Sequence, residues 1–424
     1  MATIANAPST QRVLAASLVG TAIEFYDFYV YATAASLVFG ELFFPSVSKS
    51  AQQLAAFASL GVAFIARPLG SIFFGHFGDR IGRKSTLVAS LLTMGISTTL
   101  VAFLPTYANA GWWAPLLLCL LRFGQGFGLG GEWGGAALLA VEHAPPGWRA
   151  RFGMFPQLGA PAGFLVANGF FLLLGLWLTP EDFRAWGWRV PFAVSALLVM
   201  VGLWIRLKLA ETPQFAAARA SAEPPRVPLV TLFKTQAGPL IGGTLGAIAC
   251  FVLYYLATAF ALGYGVKTLG YTMQQMLMVQ LGAILMMAVG IWIAAWAADK
   301  HWDERRVLLG GSFAAILLGF LVKPMMGSGS LLELFLFLAL ALFVMGFTYG
   351  PLGGWLPSLF PPLVRYTGVS MAFNVAGILG GGLTPFAAQA LATSGGLWAV
   401  GFYCSALAAI SLVALLVLGR GRKA

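Results

Sequence analysis

The chain has 424 residues, 59% of them hydrophobic and 9% charged, with a mean hydropathy of +0.85. Soluble domains carry about 25% charged residues, so water is not its main solvent, and disordered or fibrous readings fail. The formal net charge of +11 is scattered over short polar stretches rather than gathered in a stripe, which excludes nucleic acid as a partner and leaves the charge reporting topology.

Spanning helices need about 20 mostly apolar residues, and segmentation on that length predicts twelve of them. The first, Val13 to Gly40, has no small-residue cleavage site and contains Glu24 and Asp27, so it is a retained helix and not a signal peptide. These carboxylates lie one turn apart on one face, with Asp27 roughly 20 Å into the span. The second span, Gln53 to Gly78, holds Arg67 ahead of the kinking Pro68. After Ser85 to Leu104, the fourth, Trp112 to Val141, places Arg122 roughly 15 Å deep and Glu132 nearer the vestibule on the side of the chain termini. Phe152 to Leu178 and Trp186 to Leu207 complete a first half. The polar stretch Ala210 to Lys234, broken by Glu211-Thr212-Pro213 and Glu223-Pro224-Pro225-Arg226, reads as a linker. The second half is predicted as Gly238 to Val266, Thr272 to Ala298, Val307 to Val322, Leu331 to Trp355, Thr367 to Ala392 and Leu397 to Leu418. The expected fold is thus an all-α membrane protein: a bundle over 1–208, a linker over 209–237 and a second bundle over 238–424. Most of the 25 Lys and Arg fall on the side of the termini and linker, which predicts both termini in the cytoplasm of a multi-pass inner-membrane protein.

An ionisable side chain at bilayer depth costs about 2.5–3.5 kcal/mol on insertion scales, so it persists facing a cavity or a partner. Asp27, Glu24 and Glu132 are therefore candidate proton carriers, and Arg122 and Arg67 candidate anion ligands; for each the alternative is a structural ion pair. The second half has no clearly deep Lys or Arg, but offers Tyr254, Tyr255, Trp355 and Asn374 to close over the uncharged part of a substrate. Cys119, Cys250 and Cys404 are isolated in apolar runs, and neither a metal cluster, a phosphate loop, a dinucleotide fingerprint nor a catalytic triad is legible. A transporter is expected, with no enzyme activity and no cofactor beyond a proton gradient.

An internal repeat sharpens this. Gly75-His76-Phe77-Gly78-Asp79-Arg80-Ile81-Gly82-Arg83-Lys84 follows the second span, and Ala295-Trp296-Ala297-Ala298-Asp299-Lys300 follows the eighth. The first copy resembles the signature loop of the major facilitator superfamily; the second departs from it at His301-Trp302-Asp303-Glu304. Glu24-Phe25-Tyr26-Asp27-Phe28, Ala66-Arg67-Pro68-Leu69-Gly70, the run Arg122 to Trp133, Val141-Glu142-His143-Ala144-Pro145-Pro146, Pro156-Gln157-Leu158-Gly159-Ala160-Pro161 and Arg365-Tyr366-Thr367-Gly368 together resemble the metabolite:proton symporter family. That resemblance implies import, by alternating access, of a small solute such as shikimate, 2-oxoglutarate, citrate or a betaine. It adds Gln125 and Gln157 to the substrate set, makes Asp79, Arg80, Arg83 and Asp299 gate residues on the cytoplasmic face, and implies a monomer working with protons, the bilayer and a carboxylate-bearing substrate. With Arg122 and Asp27 at similar depth, the two are expected to be neighbours. Two readings stand behind the organic anion: a betaine-type osmolyte, against which the short C-terminal tail counts, and drug antiport, suggested by Gly159-Ala160-Pro161-Ala162-Gly163.

Overall fold

A computed structural model describes residues 10–45, 48–80, 83–207, 228–362 and 364–419. These are helical nearly throughout, with no strand among the described residues, as lipid requires: a helix satisfies its backbone polar groups within itself. The helices line up into twelve rods. Among the described residues seven helical stretches are long and apolar enough to cross a membrane, the last of them, Arg365–Val417, holding two rods; several rods are interrupted or built from pieces joined end to end. The first runs from Thr10–Ala34 through a π-helical turn, Ala35–Phe39, into Gly40–Phe43. The second is Lys49–Arg80 and the third Arg83–Val101. The fourth breaks at Gly130-Gly131 between Trp113–Leu129 and Glu132–Glu142. Arg149–Trp177 and Val190–Leu207 are the fifth and sixth.

The seventh rod strings Ala237–Gly246, Ile248–Tyr255, a π-helical turn Leu256–Phe260 and Ala261–Lys267. Met273–Lys300 is the eighth, Glu304–Gly319 the ninth, and Leu331–Tyr349 with Leu352–Ser358 the tenth. The eleventh begins with Arg365–Ala376, and the twelfth ends at Val417; the helix Thr384–Val417 is divided between them at Gly396, whose φ of 69° only glycine adopts without cost. Of the predicted linker, residues 209–227 lie outside the described residues, as do the side chains of Asp79, Arg80 and Arg83.

The first rod packs on the fifth, and the fourth on the second and third; in the second half the eighth packs on the tenth and the ninth on the twelfth. Fifth against eighth and second against eleventh join the halves. Small residues permit the tightest approach. A Cβ on Gly126 would lie 2.2 Å from the Ala63 carbonyl oxygen, and one on Gly130 2.1 Å from that of Arg67, so the fourth rod lies backbone to backbone on the second, with Arg122 about two turns along the rod from the contact at Arg67. The outer surface exposes large apolar side chains, among them Ile65, Phe103, Trp177, Trp204 and Val417, as a lipid-facing surface does.

Candidate transport site

Between the halves, at the depth of Arg122, the first rod presents Asp27, Phe28 and Tyr31. Arg122 and Asp27 are fully buried and Arg67 is 4% exposed. Phe28 is the shared platform: the Arg67 guanidinium lies 4.6 Å from its ring centre and that of Arg122 4.3 Å. Phe64 backs Arg67 at 4.9 Å and Tyr31 backs Arg122 at 4.0 Å. Such cation–π contacts contribute about 2 kcal/mol each when desolvated, less than the several kcal/mol that burial costs a charge. Each guanidinium therefore has unused capacity for an anion. Nε of Arg67, and Nε and Nη2 of Arg122, have no hydrogen-bond partner among the described residues.

The predicted contact between Arg122 and Asp27 is absent: no ion pair joins them among the described residues. Gln125 connects them instead. Its Oε1 accepts from Arg122, while its Nε2 donates to the Asp27 main-chain oxygen at 2.8 Å and to Thr98 Oγ1 at 2.8 Å. The Asp27 carboxyl faces the hydroxyls of Thr98 and Ser195, with neither oxygen in a well-formed hydrogen bond.

Rings from the second half close over this cluster. Tyr254 stacks on Tyr29 with centroids 5.2 Å apart, and Tyr255 meets Phe64 at 5.3 Å and Phe28 at 6.2 Å. The space beside Tyr29, Tyr254 and Gln280 is about 10 Å³, room for about one water. Toward the face bearing the termini, Gln157 and Asn374 are spent on closure. Gln157 accepts from Trp133 at 2.9 Å and donates to the Tyr349 carbonyl at 3.0 Å; Asn374 donates to Ser71 and to the Gly130 carbonyl at 2.7 and 2.9 Å. Trp133 and Phe373 stack beside them at 3.6 Å. Trp355 packs on the seventh rod at Gly246. Arg67, Arg122, Gln125, Tyr254 and Tyr255 thus form one cluster, with Gln157, Trp355 and Asn374 set apart from it.

Asp299, the acid of the divergent second signature loop, binds across the halves. It accepts from the backbone N–H of Ala150 and of Arg151 and from Arg151 Nε, each at 2.9 Å. Those two amides belong to the first turn of the fifth rod, where free N–H groups and the helix dipole favour an anion. Arg149 donates to the Gly354 carbonyl at 3.2 Å alongside. On the opposite face Lys267 donates to Gln53, and Gln274 to the Gly175 carbonyl at 2.7 Å, so hydrogen bonds join the halves at both faces.

Glu132 is fully buried. Arg206 binds both its oxygens at 3.0 and 3.1 Å, and Ser90 donates to it at 2.9 Å. Sequence reading missed Arg206, Phe28 and Thr98. Arg206 sits at a span end, where a basic residue reads as a loop charge; a single buried carboxylate on a neighbouring span, lacking a partner, was its one signal.

Residues 13–231 match the profile of the family described as "Sugar (and other) transporter". The chain is 48% identical to the "Inner membrane metabolite transport protein YhjE" of Escherichia coli over 413 residues, covering 96% of this chain and 94% of that one. It belongs to the major facilitator superfamily, in the metabolite:proton symporter family. Other members are similar over comparable lengths: a shikimate transporter of Escherichia coli, 36% identical across 98% and 95% of the two chains, and a proline/betaine transporter of Salmonella typhimurium, 30% identical across 97% and 84%. Among solved structures, the proton:xylose symporter XylE bound to 6-bromo-6-deoxy-D-glucose superposes with a TM-score of 0.74 at 18% identity over 96% of this chain and 95% of that one, a likeness of fold alone. As a facilitator-superfamily protein the chain is a multi-pass membrane transporter of small molecules and not an enzyme.

Proposed function

We propose that this transporter imports a small organic anion together with a proton, as a single chain with both termini in the cytoplasm. The observation that carries the reading is the pair of buried guanidinium groups, Arg67 and Arg122, flanking one phenylalanine ring with no carboxylate partner among the described residues, and with Asp27 joined to one of them through Gln125. A substrate carboxylate would form two parallel hydrogen bonds with such a fork. In doing so it competes with Gln125 for Arg122. Released Gln125 alters its bonds to Thr98 and to the Asp27 main chain, and so the surroundings of the Asp27 carboxyl. Coupling between anion and proton is then reciprocal: whatever factor the anion adds to proton affinity, the proton adds to anion affinity.

Counterflow in proteoliposomes with mono-, di- and tricarboxylates and shikimate-like acids tests the substrate class. Asp27→Asn should still exchange the substrate but fail to accumulate it on a proton gradient; accumulation by that variant removes Asp27 from the mechanism. The betaine reading draws on the proline/betaine relatives and on the tyrosine walls of the site. Two guanidinium groups in that space repel a quaternary ammonium, so glycine betaine should give the weaker counterflow. Cysteines placed in the linker and left unlabelled from outside intact cells support the orientation; labelling there reverses it.

A further inference from the structure

Among the described residues of the first half three carboxyl groups are buried, and one is unused by the account above. Glu132 has its counter-ion in Arg206, which also donates to the Leu87 carbonyl at 2.6 Å. Glu24 has none: it is 2% exposed, no cation lies within ion-pair distance among the described residues, and one of its oxygens has no hydrogen-bond partner. Its carboxyl faces that of Glu132 at hydrogen-bonding range. Two carboxyl groups in that relation cannot both be ionised at small cost, because like charges in a poorly solvated site repel strongly. An acid–carboxylate hydrogen bond resolves the conflict.

Asp27 is one helical turn from Glu24 on the same rod, on the side away from the termini, and its carboxyl also lies within electrostatic reach of Glu132. The charged and titratable groups around the file come from three further rods: Arg67 from the second, Arg206 from the sixth and Tyr366 from the eleventh. Ser90 and Thr98 supply hydroxyls from the third.

We infer that Glu24 and Glu132 hold one proton between them and form a second protonation site, through which the Asp27 proton leaves toward the face of the termini without crossing the substrate site. The balance is simple. The shared proton passes to water at that face; the Asp27 O–H bond then breaks as an O–H bond forms on Glu24. Arg206 keeps Glu132 in place and its charge compensated throughout, which makes it a positioning residue.

The role in coupling rests on the symport reading; the shared proton does not. Infrared difference spectroscopy on purified full-length protein, with no substrate added, should show a protonated-carboxyl C=O band that Asp27→Asn retains and Glu24→Gln loses. An unchanged band in Glu24→Gln overturns the shared proton. Glu24→Gln keeps the shape of the side chain and leaves the pairing of Glu132 with Arg206 intact, so it should fold, as thermal unfolding would show. In proteoliposomes it should preserve counterflow of whichever carboxylate the wild type exchanges, while gradient-driven accumulation slows by about 100-fold and Glu24→Asp restores part of it. Accumulation at the wild-type rate overturns the relay. If the wild type accumulates no carboxylate on a proton gradient, the symport reading and the relay fail together, and the infrared band alone decides the shared proton.

Discussion

The two halves share a framework and differ in chemistry. The first and seventh rods each contain a π-helical turn, at Ala35–Phe39 and Leu256–Phe260. The second and fourth rods touch through Gly126 and Gly130; the eighth and tenth do so through Gly290 and Gly346, where a Cβ would lie 2.3 Å from the Phe343 carbonyl oxygen and 2.1 Å from that of Met287. Yet the charged residues buried away from both faces, Glu24, Asp27, Arg67, Arg122 and Glu132, with Arg206 behind Glu132, belong to the first half, whereas the enclosed carboxylates of the second half, Asp299 and Glu304, sit at the face of the termini. The second half buries amides, hydroxyls and tyrosines such as Tyr254, Tyr255, Gln280 and Gln389. Backbone geometry was duplicated and charge was not. Under the proposed symport, one half would bind and couple while the other supplies the facing wall.

The largest effect should come from deleting charge. Arg122→Ala is expected to weaken anion binding by about 100-fold or more, the usual cost of removing one partner of a desolvated charged contact; Gln389→Ala in the second half should change it little. Isothermal titration of both variants checks this, and equal losses would break the asymmetry.

The framework should respond evenly to overpacking. Gly126→Val and Gly346→Val each force a side chain into a facing backbone and should destabilise by about 1–3 kcal/mol, read as matched falls in thermal unfolding temperature in detergent. A loss confined to Gly126→Val would show that the second half lacks the same contact in solution.

A smaller effect is expected at the divergent signature loop. Asp299→Asn removes a charge-assisted acceptor from three N–H donors, a change of about 1.5–3 kcal/mol, and should open the face of the termini. Spin-label distances across that face should lengthen on average. Unchanged distances would mean that closure does not depend on the Asp299 contacts.

The smallest effect is one of pH. Beside Asp299, burial raises the Glu304 carboxyl above its usual range, against the lowering influence of Arg149 and with Asp299 and Asp303 adding to the rise. The closed face therefore favours protonated Glu304. Closure should tighten as pH falls through that raised value and loosen as pH climbs past it. The same distance measurement across mildly acidic to neutral pH checks the sign, and Glu304→Gln should flatten the dependence.

The twelve rods were legible because lipid leaves few choices: apolar runs of spanning length must be helices, and Pro, Gly and charge mark their ends. The deep charges were legible too, since Asp27, Arg67 and Arg122 are costly wherever they face. Their partners were not. Depth along a helix places two residues at one level but says nothing of azimuth, so Arg122 and Asp27 were expected to touch when Gln125 stands between them. Arg206 was hidden by its place at a helix end. Gln157 and Asn374 had the polarity of ligands, but their amides bind main-chain carbonyls exposed where rods break or end, at Gly130 and Tyr349, and such acceptors are invisible until the rods are packed.

The most direct test of the account is proton uptake on anion binding. Purified protein in weakly buffered solution with a pH indicator is mixed with the carboxylate that gives the strongest counterflow. The account predicts that the wild type takes up protons as the anion binds, that Asp27→Asn binds the anion without taking them up, and that Arg122→Ala does neither. Binding by the wild type with no proton uptake, or uptake undiminished in Asp27→Asn, would contradict it.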